Sequence, residues 1–187
     1  MVIFTAEKIV HRSVLRGVMQ TAAGHIARQV SELKVLIVDD EPSMRKVTRA
    51  LLQAIGIREI HDANNGTRGL DLIRMHAPDI VILDWEMPSP NGPEFVRAVR
   101  SPGEFPFPDV PIIMLTGHSE RACVVEAMRL GINEYLLKPV SSTALLARIV
   151  SILRKPWPMV KQGDYYGPAP RKPAIYKPEF DADYIHI

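Results

Sequence analysis

Polar residues follow directly after four short apolar runs, and this arrangement constrains the fold more strongly than any other feature of the chain. The runs comprise residues 34–38, 80–83, 112–115 and 135–137, and the polar residues after them are Asp39, Asp40, Asp84, Thr116 and Lys138. Short uninterrupted runs rich in β-branched residues and leucine are typical of strands covered on both faces, as in parallel sheets. The carboxyl ends of such strands meet along one edge, so we expect these polar side chains to share one crevice.

Predicted strands and helices alternate five times from residue 34 onward. The predicted helices begin near Pro42, Asn65, Asn91, Ser119 and Ser142. A weaker strand is predicted at residues 57–61, and the proline-rich segment 101–109 is expected to be an extended loop. Alternation of these lengths implies right-handed crossovers, so we expect an α/β fold with a doubly wound parallel sheet between two layers of helices.

Two extensions flank this predicted domain, which spans residues 34–154. Residues 1–33 carry apolar groups at nearly helical spacing, which predicts an amphipathic helix packed on the domain. A dimerising helix and a translation start placed too far upstream are the alternatives. Residues 155–187 are rich in proline and tyrosine and too short for an independent fold, so we expect an extended tail, either disordered or laid against the domain.

Composition and charge exclude several classes of function. The net charge of the 187-residue chain is only +2, and no segment is strongly basic, so direct nucleic-acid binding is not expected. No apolar stretch approaches the roughly 20 residues that span a bilayer, and Arg12 and Arg16 make the start of the chain a poor signal peptide. A single cysteine, Cys123, fits a reducing compartment. We expect a cytoplasmic protein without membrane contact.

The predicted crevice has a charge imbalance that only a cation would correct. Two ionised carboxylates about 4 Å apart repel by roughly 4 kcal/mol at an effective dielectric constant of about 20. Mg²⁺ prefers oxygen ligands and keeps several waters, so Asp39, Asp40 and Asp84 suit it as a cofactor site. Lys138 adds a positive point charge, and the Thr116 hydroxyl can donate to a phosphoryl oxygen. A carboxylate can also attack phosphorus as a nucleophile.

Four motifs, in this order along the chain, resemble the signatures of response-regulator receiver domains. They lie at residues 35–42, 82–88, 114–117 and 135–139, and the resemblance covers about 34–154. The similarity is to chemotaxis-regulator-like, single-domain two-component response regulators. It implies a flavodoxin-like (βα)5 three-layer sandwich with strand order 2-1-3-4-5.

The resemblance also implies a role for each polar residue by position. Asp84 would be the phosphoacceptor. Asp40, Asp84 and the backbone carbonyl of Glu86 would bind Mg²⁺, and Asp39 would reach the metal mainly through water. Thr116 and Lys138 would bind the phosphoryl oxygens.

Further roles follow from the same resemblance. Thr116 and Tyr135 would form the switch, and Pro139 would follow a cis peptide bond. Glu86, which lies two residues after the acceptor, would alter dephosphorylation by acting on the attacking water. His118, two residues beyond Thr116, would be either a surface histidine or a second residue at the site mouth with a similar influence.

The implied function is phosphorelay signal transduction by a stand-alone regulator. A sensor histidine kinase or histidine phosphotransfer protein would donate the phosphoryl group, which is later hydrolysed. The protein would not be an enzyme beyond its own phosphorylation and dephosphorylation, and would signal to an unidentified target protein. Phosphorylation would change the face formed by helix 4, strand 5 and helix 5. Glu134 and Arg148 lie on this face and suggest a homodimer as one possible partner interaction.

Two other functions compete with this interpretation. A receiver-fold adaptor that works without phosphorylation would keep the fold alone. A haloacid-dehalogenase-type phosphatase also uses an aspartyl nucleophile, a threonine, a lysine and Mg²⁺. That family requires Asp-x-Asp after its first strand, whereas here Glu86 stands two residues after Asp84.

Overall fold

Five parallel strands form the centre of the protein, and the computed structural model describes residues 24–117 and 121–169. The strands are β1 (Lys34–Val38), β2 (Glu59–Ala63), β3 (Ile80–Asp84), β4 (Ile112–Thr116) and β5 (Glu134–Leu137). They are ordered β2-β1-β3-β4-β5, which confirms the predicted fold class and topology. Val38 pairs with Ala63 on one side and Leu83 on the other, so β1, β2 and β3 end at nearly the same level.

Helices connect consecutive strands, and their ends have recognisable caps. They are α1 (Pro42–Ala54), α2 (Gly66–His76), α3 (Gly92–Val99), α4 (Arg121–Leu130) and α5 (Ser142–Arg154). The side chain of Asn65 accepts a hydrogen bond from the backbone N–H of Arg68 at the start of α2. Asn91 and Glu94 form a capping box at the start of α3, which satisfies backbone donors that the helix leaves unpaired.

The sheet separates two hydrophobic cores. Alternate residues of β1 point to opposite faces, so Leu36 and Val38 belong to one core and Val35 and Ile37 to the other. The first core includes buried residues of α2, α3 and α4, and the second includes those of α1 and α5. Burial on both faces explains why the central strands appear in the sequence as uninterrupted apolar runs.

Strand β2 begins two residues later than predicted, at Glu59 instead of residue 57. It is one of the two edge strands of the sheet, and only Ala63 among its residues is fully buried. Ile57, which suggested the earlier start, is a core residue that precedes the strand. Partial exposure weakens the apolar pattern of an edge strand and therefore blurs its boundary in the sequence.

Residues 24–31 form a helical segment ahead of β1. Val30 and Leu33 are buried in the same core as α1 and α5, with Ile26 packed against them. The remainder of the helix predicted for residues 1–33 lies outside the described residues. Within the part of the chain that the structure describes, no helix combines the length and apolar character needed to cross a bilayer.

The segment after α5 forms a β-hairpin where the sequence predicted no strands. Strands β6 (Met159–Gln162) and β7 (Tyr165–Pro168) pair antiparallel. The two-residue loop between them contains Gly163 with a positive φ of 59°, a conformation that favours glycine in tight hairpin turns. The Tyr166 hydroxyl donates a hydrogen bond to the Asp109 carboxylate. The hairpin therefore contacts the domain beside the loop that precedes β4.

A buried arginine lies next to this hairpin and was not singled out by the sequence. Arg100 is 5% exposed, and its guanidinium donates to the carbonyl oxygens of Gly131 and Val110, each at 2.9 Å. It also donates to Asn133 Oδ1 at 3.0 Å, and the same oxygen accepts from the backbone N–H of Ile112. Burial lowers the pKa of Arg100 to about 10. These bonds fix the segments that enter β4 and β5.

Candidate functional site

Three carboxylates meet at the carboxyl ends of β1 and β3. Asp39 and Asp40 follow β1 directly, Asp84 is the last residue of β3, and one oxygen from each lies within 4.8 Å of the others. Asp39 and Asp84 are 1% and 5% exposed, whereas Asp40 is exposed. The predicted crevice thus contains two buried acids and one at its rim, because parallel strands of matching register deliver them to one edge.

The carboxylate of Asp39 is only partly satisfied within the protein. Its Oδ1 accepts a hydrogen bond from the backbone N–H of Glu41 at 2.8 Å. Its Oδ2 is buried and has no hydrogen-bond partner among the described residues. Burial raises the pKa of Asp39, and the charges of Asp84 and Asp40 add to this effect, against the lowering influence of the Glu41 N–H and Lys138. A buried carboxylate oxygen without a donor fits the binding of a divalent cation.

Lys138 is the cation that faces these acids. Its Nζ lies 2.9 Å from Asp84 Oδ1 and 3.6 Å from Asp39 Oδ2. Burial alone would lower the pKa of Lys138, but hydrogen bonding to Asp84 and the charges of Asp84, Asp39 and Glu86 outweigh it and raise the pKa. The ammonium therefore stays charged. The peptide bond between Lys138 and Pro139 is cis, the geometry that the resemblance implies.

Thr116 and Glu86 meet beside Asp84, at the end of the neighbouring strand β4. Thr116, the last residue of β4, is fully buried, and its Oγ1 lies 3.4 Å from Glu86 Oε1. The backbone N–H of Gly117 donates to the same carboxylate oxygen at 3.3 Å, and the backbone N–H of Glu86 donates to Asp84 Oδ1 at 3.4 Å. Sequence reasoning connected Glu86 with an attacking water but did not anticipate its contact with Thr116.

Arg45 supports the acidic loop, and sequence reasoning missed it. Its guanidinium donates to the backbone carbonyls of Asp39 at 2.8 Å and Asp40 at 3.1 Å. Its Nε lies 3.6 Å from Asp62 Oδ2, and Arg49 pairs with the other oxygen of Asp62. The sequence contains no signal for this role of Arg45, because its partners are main-chain carbonyls and Asp62, which lies on strand β2.

The other predicted site residues are more dispersed. Tyr135 is half-buried, packs against the core on the α2–α4 side, and pairs with Met114 in the sheet. His118 lies outside the described residues. Glu134 is 3% exposed, accepts a hydrogen bond from Ser151 at 3.1 Å, and lies 3.9 Å from Arg148. Glu134 is therefore buried and engaged within the chain, whereas Arg148 is exposed, and the homodimer that these two residues suggested stays a prediction.

The response regulator receiver domain family matches residues 35–150 of the chain. The chain belongs to this family. Its function is therefore that of a response regulator in phosphorelay signal transduction, and the phosphatase alternative loses its support. The family match excludes the C-terminal hairpin and residues 24–34.

Individual relatives and solved structures agree with this assignment. A chemotaxis protein CheY of Pseudomonas aeruginosa is 32% identical, over 66% of this chain and 98% of its own length. A CheY homologue of Campylobacter jejuni is 34% identical, over 65% of this chain and 92% of its length. The structure of CheY4 of Vibrio cholerae has a TM-score of 0.58 at 33% identity and covers 64% of this chain and 98% of its own. A receiver domain protein of Clostridium thermocellum has a TM-score of 0.59 at 31% identity, covering 65% and 94%.

Proposed function

We propose that Asp84 accepts a phosphoryl group from a phosphohistidine of a sensor histidine kinase or a histidine phosphotransfer protein. The observation that carries this assignment is the 2.9 Å contact of Lys138 Nζ with Asp84 Oδ1 inside a cluster of three carboxylates. A carboxylate oxygen of Asp84 attacks phosphorus, the bond to the donor histidine nitrogen breaks, and an aspartyl-phosphate forms. Hydrolysis by water later restores the carboxylate.

Asp40, Asp84 and the backbone carbonyl of Glu86 are the proposed direct ligands of Mg²⁺, and Asp39 is proposed to reach the metal mainly through water. The buried Oδ2 of Asp39, which has no hydrogen-bond donor among the described residues, supports a cation at this place. When bound, Mg²⁺ would neutralise negative charge on the acids and on the incoming phosphoryl oxygens. Arg45 keeps the two backbone carbonyls of the acidic loop in position, and so orients the Asp39 and Asp40 side chains.

Lys138 and Thr116 are the proposed partners of the phosphoryl oxygens. Lys138 supplies a charge that is already held against Asp84, and Thr116 supplies a hydroxyl at the end of the neighbouring strand. Catalysis then depends mainly on positioning and on electrostatic stabilisation of the transferring group. Beyond its own phosphorylation and dephosphorylation, the protein is proposed to have no enzymatic activity.

The output is proposed to pass through protein contacts at the α4–β5–α5 face. Movement of Thr116 toward the phosphoryl group would leave space that the half-buried Tyr135 can fill by turning inward. A tenfold preference of a target for the phosphorylated state requires only about 1.4 kcal/mol. A homodimer through this face, an influence of His118 on dephosphorylation and a cytoplasmic location remain predictions.

Mass spectrometry after incubation with a small phosphodonor and Mg²⁺ tests the proposal. The expected result is an acid-labile adduct with the mass of one phosphoryl group on the peptide that contains Asp84, absent from an Asp84→Asn variant. Trp85 is adjacent to the acceptor and 8% exposed, so its fluorescence should change on phosphorylation. If the wild type never carries the adduct and binds its target as well after incubation with the donor as before, the protein would instead be a phosphorylation-independent adaptor.

A further inference from the structure

The Glu86 carboxylate binds two donors next to the proposed phosphoacceptor. Its Oε1 lies 3.4 Å from Thr116 Oγ1 and 3.3 Å from the backbone nitrogen of Gly117. A hydroxyl and an amide N–H therefore converge on one anionic oxygen. The backbone N–H of Glu86 also donates to Asp84 Oδ1, so the carboxylate is tethered beside the acceptor.

These two donors lie at the end of β4, next to the end of β3 that carries Asp84, so a phosphoryl oxygen on Asp84 would approach them. Strands β3 and β4 are paired so that Asp84 lies opposite Leu115, one residue before Thr116. A carboxylate oxygen and a phosphoryl oxygen are both anionic acceptors of the same donors. One hydroxyl and one N–H cannot fully serve both, so the two anions must exclude each other there.

We propose that Glu86 is an internal competitor of the phosphoryl group. It occupies the Thr116 and Gly117 donors in the unphosphorylated protein and must leave them before a phosphoryl oxygen can bind. This inference rests on the proposed phosphorylation of Asp84. It makes Glu86 a determinant of how readily the site accepts a phosphoryl group, a role that precedes any effect on the attacking water.

The surroundings of Glu86 allow this exchange. Glu86 and Gly117 are both exposed, so the carboxylate lies at the solvent rim. The charge also favours departure, because a phosphoryl dianion would enter a site that already contains Asp39, Asp40 and Asp84.

The first experiment needs neither metal nor phosphodonor. Nitrogen-15 NMR of the wild type and of a Glu86→Ala variant follows the Gly117 amide and its exchange with solvent. Loss of the acceptor should shift the Gly117 resonance and accelerate its exchange by about tenfold. Glu41→Gln is the matched control, because it removes a negative charge beside Asp40 without a contact to Thr116 or Gly117. An unchanged Gly117 amide in Glu86→Ala would overturn the inference even if Asp84 is phosphorylated.

The second experiment measures competition directly. Beryllofluoride with Mg²⁺ serves as the phosphoryl probe, and Trp85 fluorescence gives its dissociation constant. Glu86→Ala should bind the probe about tenfold more tightly than the wild type, since a charge-assisted competitor is gone. Glu86→Gln should lie between them, because its amide oxygen can still accept the bonds without a charge. Glu41→Gln should stay within about twofold of the wild type.

Two results of this titration would overturn the inference. One is equal or weaker probe binding by Glu86→Ala. The other is a gain in Glu41→Gln that matches Glu86→Ala, since removed charge alone would then account for the effect. Failure of the proposed function is a separate result, namely a wild type without the phosphoryl adduct, and the Gly117 amide still tests the contact in that case.

Discussion

Lys138 Nζ lies 2.9 Å from Asp84 Oδ1 and so joins the end of β5 to the end of β3 across the intervening strand β4. Among the described residues, Lys138 supplies the cation that lies within 4 Å of both the Asp84 and the Asp39 carboxylates. Its charge is available before any phosphoryl group arrives, so the protein spends no free energy on reorganising it during transfer.

Replacing this lysine should therefore impair phosphorylation more than it impairs folding. In Lys138→Met, phosphoryl incorporation from a small donor should fall by about 10²-fold or more, because the transferring oxygens lose a prepositioned charge. Intact-protein mass spectrometry over time gives the rate. Lys155→Met, an exposed lysine after α5, is the control and should incorporate phosphate at the wild-type rate. Equal rates in both variants would exclude the proposed role of Lys138.

The metal-free protein should lose stability as pH rises, because of Asp39. Burial raises the pKa of this carboxyl in the folded state above its ordinary value of 3.8. The folded state then keeps the proton to higher pH than the unfolded state, so folding is penalised once the pH passes through the raised pKa. Asp39→Asn should increase the free energy of unfolding at neutral pH by about 1 kcal/mol, and this gain should vanish at acid pH.

Mg²⁺ should make the wild type more stable to unfolding than the Asp39→Asn variant. A cation that binds the folded wild type stabilises it by mass action, and the Asn variant offers a weaker site. Urea unfolding with Mg²⁺ and with a chelator, at several pH values, checks both statements. The Asp39 account fails if the chelated wild type is as stable as Asp39→Asn at neutral pH.

Replacing Arg100, which directly follows α3, should destabilise the protein more than replacing Arg97 within α3. Its guanidinium satisfies the carbonyls of Gly131 and Val110 and the side chain of Asn133. Arg100→Met would remove this donor from the buried carbonyl oxygens of Gly131 and Val110 and leave Asn133 Oδ1 with the Ile112 N–H. The change should lower the free energy of unfolding by about 2–4 kcal/mol. Arg97→Met, at an exposed position within α3, should change the free energy of unfolding by less than about 0.5 kcal/mol. Denaturant titration distinguishes them.

The hairpin should depend on the lack of a side chain at position 167. A Cβ there would lie 2.6 Å from the Tyr165 hydroxyl oxygen and 3.0 Å from Gly131 Cα. Gly167→Ala should therefore displace β7 and cost about 1–3 kcal/mol. Hydrogen exchange measured by mass spectrometry should show faster exchange in residues 159–168. Gly24→Ala, where a Cβ would meet nothing within 4 Å, should leave exchange of the hairpin unchanged.

The central strands and the capped helices could be predicted from the sequence, whereas the edge strand β2 and the C-terminal hairpin could not be placed correctly. Strands β1, β3 and β4 are covered on both faces, which produces uninterrupted apolar runs. Pro42 and Asn91 mark the starts of α1 and α3 through local chemistry. Strand β2 was misplaced because its exposed edge mixes polar and apolar residues. The hairpin was missed although Gly163 and Asp164 are typical turn residues, since the flanking prolines argued against strands.

The sequence by itself determined the order of strands and helices and which residues end the strands at the acidic edge, because burial periodicity and capping act over a few neighbouring residues. Only the tertiary structure decided that Glu86 contacts Thr116, that Arg45 holds the acidic loop, that Glu134 is buried, and that Arg100 lies beside the hairpin. Glu86 and Thr116 are 30 residues apart along the chain, and Arg100 and its hydrogen-bond partner Gly131 are 31 residues apart. Such pairs carry no local pattern, since their free energy depends on the distances that packing of the whole sheet creates.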